Sequence, residues 1–122
     1  MTFEVATQAS VAEFLGGRPP FSLRGYVARM AGRVVGLGGI YYDAGRAVAF
    51  SKMRDEMRPK RKACAKACRM LVDLIRETPG PVYAIADPDE ATAPALLQKL
   101  GFVPTGASSP HGPLLQFPQG GR

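Results

Sequence analysis

Residues 46–86 read RAVAFSKMRDEMRPKRKACAKACRMLVDLIRETPGPVYAIA, and the spacing of apolar residues changes twice along them. The stretch Arg46 to Met57 opens with strand-like alternation, Val48 and Phe50 against Ala49 and Ser51. From Lys62 to Thr78 the apolar positions are 64, 67, 68, 71, 74 and 75, and the polar ones are 62, 66, 69, 73, 76 and 77. That spacing predicts an amphipathic helix with a single apolar stripe. Pro79-Gly80-Pro81 stops it. Val82–Ala86 is a short, nearly continuous apolar run, as expected of a strand buried on both faces. Strand, helix, strand in this order predicts two parallel neighbours, splayed at their C-terminal ends, where sheets of this kind bind ligands.

The flanks extend the pattern. Residues 2–8 alternate weakly and predict a short first strand, and Val11 to Leu15 predict one or two helical turns before Gly16-Gly17 and Pro19-Pro20. Leu23 to Tyr42 is rich in β-formers on either side of Ala31-Gly32 and reads as a hairpin, and Asp43-Ala44-Gly45 reads as the next turn. Downstream, Asp87-Pro88-Asp89 offers an N-cap and Pro94 fits a first turn. Ala93, Leu96, Leu97 and Leu100 then form a second apolar stripe closed by Gly101. Phe102-Val103-Pro104 and Leu114–Phe117 close the sheet around a loop at Ala107–Pro113, and residues 119–122 read as a flexible tail. The order predicts one α/β (α+β) domain over residues 1–122. Its central twisted sheet is mostly antiparallel with one parallel strand pair, and helices cover both faces.

Composition narrows the function. The chain has 122 residues, 46% hydrophobic and 21% charged, the balance of a globular domain. No apolar run approaches the roughly 18–20 residues that cross a bilayer, and the N-terminus MTFEVATQAS lacks a secretory pattern. Two cysteines and one histidine make neither a disulfide framework nor a four-ligand zinc site. Cys64 and Cys68 share a helix face with parallel side chains and read as small core residues, so the reducing cytoplasm is the expected compartment. The net charge is +6, and residues 52–69 carry all of it: Lys52, Arg54, Arg58, Lys60, Arg61, Lys62, Lys66 and Arg69 against Asp55 and Glu56. Such a patch suits a phosphate-bearing partner, and it also reads as a solvated basic face. Nucleic acid ranks last among partners, because residues 51–69 contain no aromatic side chain to stack on bases.

Three local patterns resemble the GNAT acyl-CoA-dependent acetyltransferases. Ala28-Arg29-Met30-Ala31-Gly32-Arg33-Val34-Val35-Gly36 is similar to the family's second-to-third strand hairpin. Ala93-x-x-Leu96-x-x-Lys99-x-Gly101-Phe102 is similar to its late helix, which usually ends in Lys/Arg-x-Gly-Phe. The segment Lys62-Ala63-Cys64-Ala65-Lys66-Ala67 after Pro59 stands where the family has its acyl-CoA loop, Arg/Gln-x-x-Gly-x-Gly/Ala. The resemblance covers about residues 22–118 and implies a domain that binds acetyl-CoA and transfers acetyl to a small-molecule or protein amine. It places the cofactor along Met57, Lys62, Ala63, Cys64, Ala65, Lys66 and Ala67, with backbone amides around Cys64–Ala67 on the pyrophosphate and Arg58 and Arg61 nearby. Ala65 and Ala67 replace the usual glycines, and Ala65 restricts the backbone more than glycine would.

The same resemblance assigns the chemistry. A general base, often a glutamate on the strand before the loop, falls to Glu56 with Asp55 in reserve. Both acids also read as surface partners of neighbouring arginines. The tyrosine that protonates the departing thiolate falls on Leu97, which carries no proton, and the asparagine that often opens the late helix falls on Glu90. Tyr83 is a substitute donor or a plain core tyrosine, and His111 is a proton carrier or an ordinary surface histidine. Only about 21 residues precede the first clear strand, where the family has two helices. The acceptor pocket is then reduced, or completed by an oligomeric or assembly partner, and so compact a chain resembles phage- or prophage-encoded members. The alternative is a non-catalytic module that binds CoA or serves an assembly.

Overall fold

The computed structural model describes residues 1–17, 22–86, 93–110 and 112–118, with backbone only at 93–96. The elements in chain order are β1 (Thr2–Val5), α1 (Gln8–Leu15), β2 (Leu23–Met30), β3 (Arg33–Asp43), β4 (Arg46–Met53), α2 (Arg61–Glu77), β5 (Val82–Ile85), α3 (Ala93–Leu100), β6 (Val103–Ser109) and β7 (Gly112–Phe117). One seven-stranded sheet has the order β1-β2-β3-β4-β5-β7-β6. Every neighbouring pair is antiparallel except β4 and β5.

Local chemistry explains the framework. Thr7 caps α1 through a reciprocal bond with Ser10, and Gly16 closes it in the left-handed conformation at φ 79°. Two tight turns, Ala31-Gly32 and Ala44-Gly45, join β2 to β3 and β3 to β4 with positive φ at both residues of each. Val27 and Ala28 are adjacent on β2 and point to opposite faces. Val27 packs with Val11 and Phe14 of α1, while Ala28 packs with Met57 and with Cys64 and Ala67 of α2. The two helices therefore cover opposite faces.

The main core lies under α2. Leu71, Leu74 and Ile75 meet Ile40 of β3, Ala47 and Ala49 of β4, Val82 and Ala84 of β5, and Leu115 and Phe117 of β7. Leu97 and Leu100 of α3 pack against the same cluster. The far end of α2 is tied down by Thr78, whose hydroxyl donates to Leu74 O at 2.8 Å and accepts from Arg24 Nη2 at 2.7 Å. A guanidinium at that terminus also complements the helix dipole.

Four expectations change. The strand beginning at Arg46 ends at Met53, so Asp55, Glu56 and Met57 lie in a turn. Pairing with β5 has already ended at Ala49, and past the Gly36–Met53 pair with β3 the chain curls into tight local bonds, Met57 N–H to Arg54 O and Lys60 N–H to Met57 O. β5 is not equally buried on both faces: Val82 and Ala84 are buried, Tyr83 and Ile85 only partly. The loop expected at Ala107–Pro113 is mostly hairpin, with Ser108 opposite Pro113 and Ser109 opposite Gly112. Cys64 and Cys68 are free thiols but only half-buried, and burial, with Cys64 adding, pushes the Cys68 thiol up. The expectations at Pro19-Pro20, Asp87–Asp89, Glu90, His111 and 119–122 fall outside the described residues.

Gly25 and Gly39 face each other across β2 and β3. A Cβ on Gly25 would stand 2.1 Å from Gly38 O, and one on Gly39 would stand 2.3 Å from Arg24 O. The strands cannot keep this approach with any side chain at either position. Gly25→Ala should cost about 1–3 kcal/mol or more, in line with overpacking elsewhere, measured as a lower urea midpoint at unchanged m-value. Full stability in that variant would show that the strands are free to separate.

Candidate functional site

The parallel pair determines where a ligand can enter. β4 and β5 pair only at Ala47–Val82, Val48–Tyr83 and Ala49–Ala84. Beyond that, β4 follows β3 out to the Gly36–Met53 pair, while β5 follows β7, with Ile85 opposite Leu114 and Ala86 N–H bonded to Pro113 O. A wedge opens between the strands, and among the described residues one edge of β4 from Phe50 to Met53 has no strand beside it. Unpaired peptide groups on such an edge are ready partners for an extended, amide-bearing molecule.

The N-terminus of α2 follows the turn after β4 and lies beside Met1 and Met30. Its cap residue, Lys60, makes no side-chain capping bond, and the first turn holds no acidic residue. Positive dipole and basic side chains therefore coincide, which favours an anion. Arg61 and Lys62 are exposed there, and with Met1, Met30 and Pro59 they border a groove of about 610 Å³. The expected loop is absorbed into the helix. Alanines at 63, 65 and 67 favour helix where glycines would resist it, so Cys64 N–H already bonds Lys60 O at 2.9 Å. The amides of Ala65, Lys66 and Ala67 lie deeper in the helix. Among the described residues, the amides that the helix leaves open are those of Lys62 and Ala63, a turn earlier than expected.

Other expected cofactor residues are engaged elsewhere. Met57 is 2% exposed, with its sulfur packed over Gly36. Cys64 Sγ points back to Met57 O at 3.5 Å. Lys66 places its ammonium 5.1 Å from the centre of the Phe3 ring. Ala65 is exposed and Ala67 packs inward against the sheet.

On the α1 face a second groove of about 430 Å³ is lined by Phe14, Arg33 and the chain from Lys52 to Glu56. Arg54 builds its floor. Its N–H bonds Val35 O at 2.7 Å, its Nε bonds Val34 O at 3.1 Å, and its Nη2 bonds Phe14 O at 3.1 Å. The guanidinium also sits 4.8 Å from the centre of the Phe14 ring. Val35 is the extra residue of a β-bulge, since Ala28 pairs with Gly36 and Arg29 with Val34. Glu13 of α1 accepts from Val34 N–H at 3.0 Å and pairs with Arg29 at 3.2 Å.

The expected catalytic residues are only partly brought together. Glu56 and Asp55 both line the α1-side groove. Glu56 is held by the Arg33 guanidinium, whereas Asp55 is fully exposed and pairs with Arg58 at 3.3 Å. Tyr83 stands beside Val48, with Arg46 over its ring at 5.8 Å. It belongs to the opposite end of β4, roughly 17 Å of strand away from Met53. Leu97 packs on the core and its carbonyl accepts Phe102 N–H at 2.9 Å. Sequence reasoning missed the roles of Glu13 and Arg33. Both lie far from the basic segment in the chain; the hairpin brings Arg33 into the groove lining, and the docking of α1 sets Glu13 on Val34 and Arg29.

This architecture is the fold of the GNAT acetyltransferases. The chain is similar to the aminoglycoside acetyltransferase AAC(6')-Ib in complex with coenzyme A, at 18% identity, with 94% of this chain and 91% of that one covered and a TM-score of 0.62. It is similar to the ribosomal-protein-S18-alanine N-acetyltransferase from Escherichia coli at 13% identity, covering 96% and 94% with a TM-score of 0.60. It is also similar to Ard1 from Thermoplasma volcanium at 18% identity, covering 94% and 93% with a TM-score of 0.58. No family model matches the sequence, and no curated protein matches it. Among the described residues there is no cluster fit to hold a metal, and no helix is long and apolar enough to cross a membrane.

The Val34 N–H holds the Glu13 carboxyl below its ordinary value of 4.5. A lowered folded-state pKa stabilises the native state fully above the ordinary value, and the contribution is lost as pH falls below it. Thermal melts of wild type and Glu13→Gln should therefore differ most at neutral pH and converge in acid below pH 4.5. A constant difference across that range would remove Glu13 as the fastener.

Proposed function

We propose that the chain is an N-acetyltransferase that moves the acetyl group of acetyl-CoA to a small amine. The observation that carries this reading is the wedge between β4 and β5, together with the uncapped, positively flanked N-terminus of the helix that follows β4 in the chain. The two features suit the two halves of one ligand. An extended pantetheine arm with its amides matches the open edge of β4 from Phe50 to Met53. A pyrophosphate matches the Lys62 and Ala63 amides, with the Arg61 and Lys62 side chains adding charge.

Acetyl-CoA, when bound, supplies a thioester already activated towards attack by nitrogen. Glu56 takes the proton of the attacking amine, directly or through a water, once the amine has displaced Arg33 from it. Asp55, fully exposed and turned to Arg58, is the weaker candidate. Leu97 offers no proton to the departing sulfur, so the thiolate leaves unprotonated. That is tolerable for a group whose pKa is roughly 8.5, and it limits the rate, because acid–base assistance contributes about 100- to 10,000-fold. Free half-buried thiols suit the reducing cytoplasm as its compartment.

Free-thiol release from acetyl-CoA against a panel of amines tests the reading. Glu56→Gln should lower turnover about 100-fold or more, and Leu97→Tyr should raise it. Thiol release unaffected by Glu56→Gln would move the base elsewhere. CoA binding without release from any amine would leave a binding module.

The phosphate seat has its own test by calorimetric titration with CoA. Lys62→Glu should weaken binding about tenfold, with a smaller difference at high salt. Undiminished affinity in that variant would rule the helix terminus out.

A further inference from the structure

We propose that the acceptor is a small zwitterion, a primary amine carrying its own carboxylate or phosphonate a few bonds away, held between Glu56 and the Arg33–Lys52 pair of cations. This rests on the acetyl-transfer reading and names the acceptor class of the same site.

The argument is a charge account of the α1-side groove. Its lining holds three cations, Arg33, Lys52 and Arg54, and two anions, Asp55 and Glu56. Arg54 is committed to the carbonyls of Phe14, Val34 and Val35 and to the Phe14 ring. Asp55 is turned to Arg58. The groups left to meet a ligand are Glu56, its partner Arg33 and the exposed Lys52, which pairs with no carboxylate among the described residues. Glu56 keeps 35% of its side chain open, so a solute can reach it.

An amine that takes Glu56 separates it from Arg33 and leaves two cations facing the ligand. An amine whose substituent is neutral satisfies neither. A polyamine or an aminoglycoside adds charge of the wrong sign, and like charges brought together are costly. An amine bearing its own anion replaces both halves of the broken pair at once, its ammonium on Glu56 and its anion on Arg33 and Lys52.

The experiment measures kcat/KM with acetyl-CoA for glycine, aminomethylphosphonate, glycinamide, ethanolamine and kanamycin. Each zwitterion should exceed the neutral amines by about tenfold or more, the worth of one charged hydrogen bond, and kanamycin should be the poorest. In Arg33→Gln the zwitterion-to-neutral ratio should fall to about one, and in Lys52→Gln it should fall by a smaller factor. A preference for neutral amines or kanamycin, or a ratio unchanged in both variants, overturns the proposal. If no amine releases thiol although CoA binds, acetyl transfer fails and the acceptor class is read by binding instead. Glycine and ethanolamine are then titrated into the CoA-loaded protein by NMR. Shifts with glycine alone that vanish in Arg33→Gln support the zwitterion site, and their absence in wild type overturns it.

Discussion

Arg54 is the residue on which the working end of the molecule depends. Its backbone joins the end of β4 to the bulge of β3, and its side chain joins that bulge to the last turn of α1. Three elements that also share the Val11, Val34, Leu37 and Phe50 cluster are fastened at this end by one residue. The reach of a guanidinium makes this possible: several donors in a fixed fork satisfy separate carbonyls at once. A lysine would offer a point charge and could not span the same set. With Arg54 turned inward, the groove beside it is left to Arg33, Lys52 and Glu56.

The basic segment therefore divides into two roles. Arg54 and Lys66 serve the fold, one on carbonyls and one on the Phe3 ring. Arg61 and Lys62 stand exposed where the helix dipole is positive. Net charge counted along a sequence treats these alike, and only the directions of the side chains separate them. The same holds for Asp55 and Glu56, neighbours in the chain whose carboxylates are turned to different arginines.

The strand–helix–strand core around α2 was legible because its signals are periodic. Of the predicted stripe, positions 64, 67, 71, 74 and 75 pack on the sheet, and the turns at Ala31-Gly32 and Ala44-Gly45 fall where glycine marked them. Legibility failed where tertiary contact overrode the local pattern. Residues 54–57 follow the strand with no Gly or Pro to end it, but the chain curls there into local turn bonds. Met57 sits within the run matched to the cofactor site and is buried under Gly36. The bulge at Val35, which positions Arg33 opposite Glu56, has no mark in the sequence beyond paired valines.

The alanines at the start of α2 have a consequence for the thermodynamics of recognition. A glycine-rich loop is ordered by the ligand it wraps, and that ordering is subtracted from the affinity. Here the first turn is already helical, so little conformational entropy remains to be lost on association. An anion bound there would meet a finished surface with its open amides already aimed. In exchange, the backbone cannot reshape itself around a differently placed phosphate, so tolerance for ligand variants is surrendered where the chain gained rigidity.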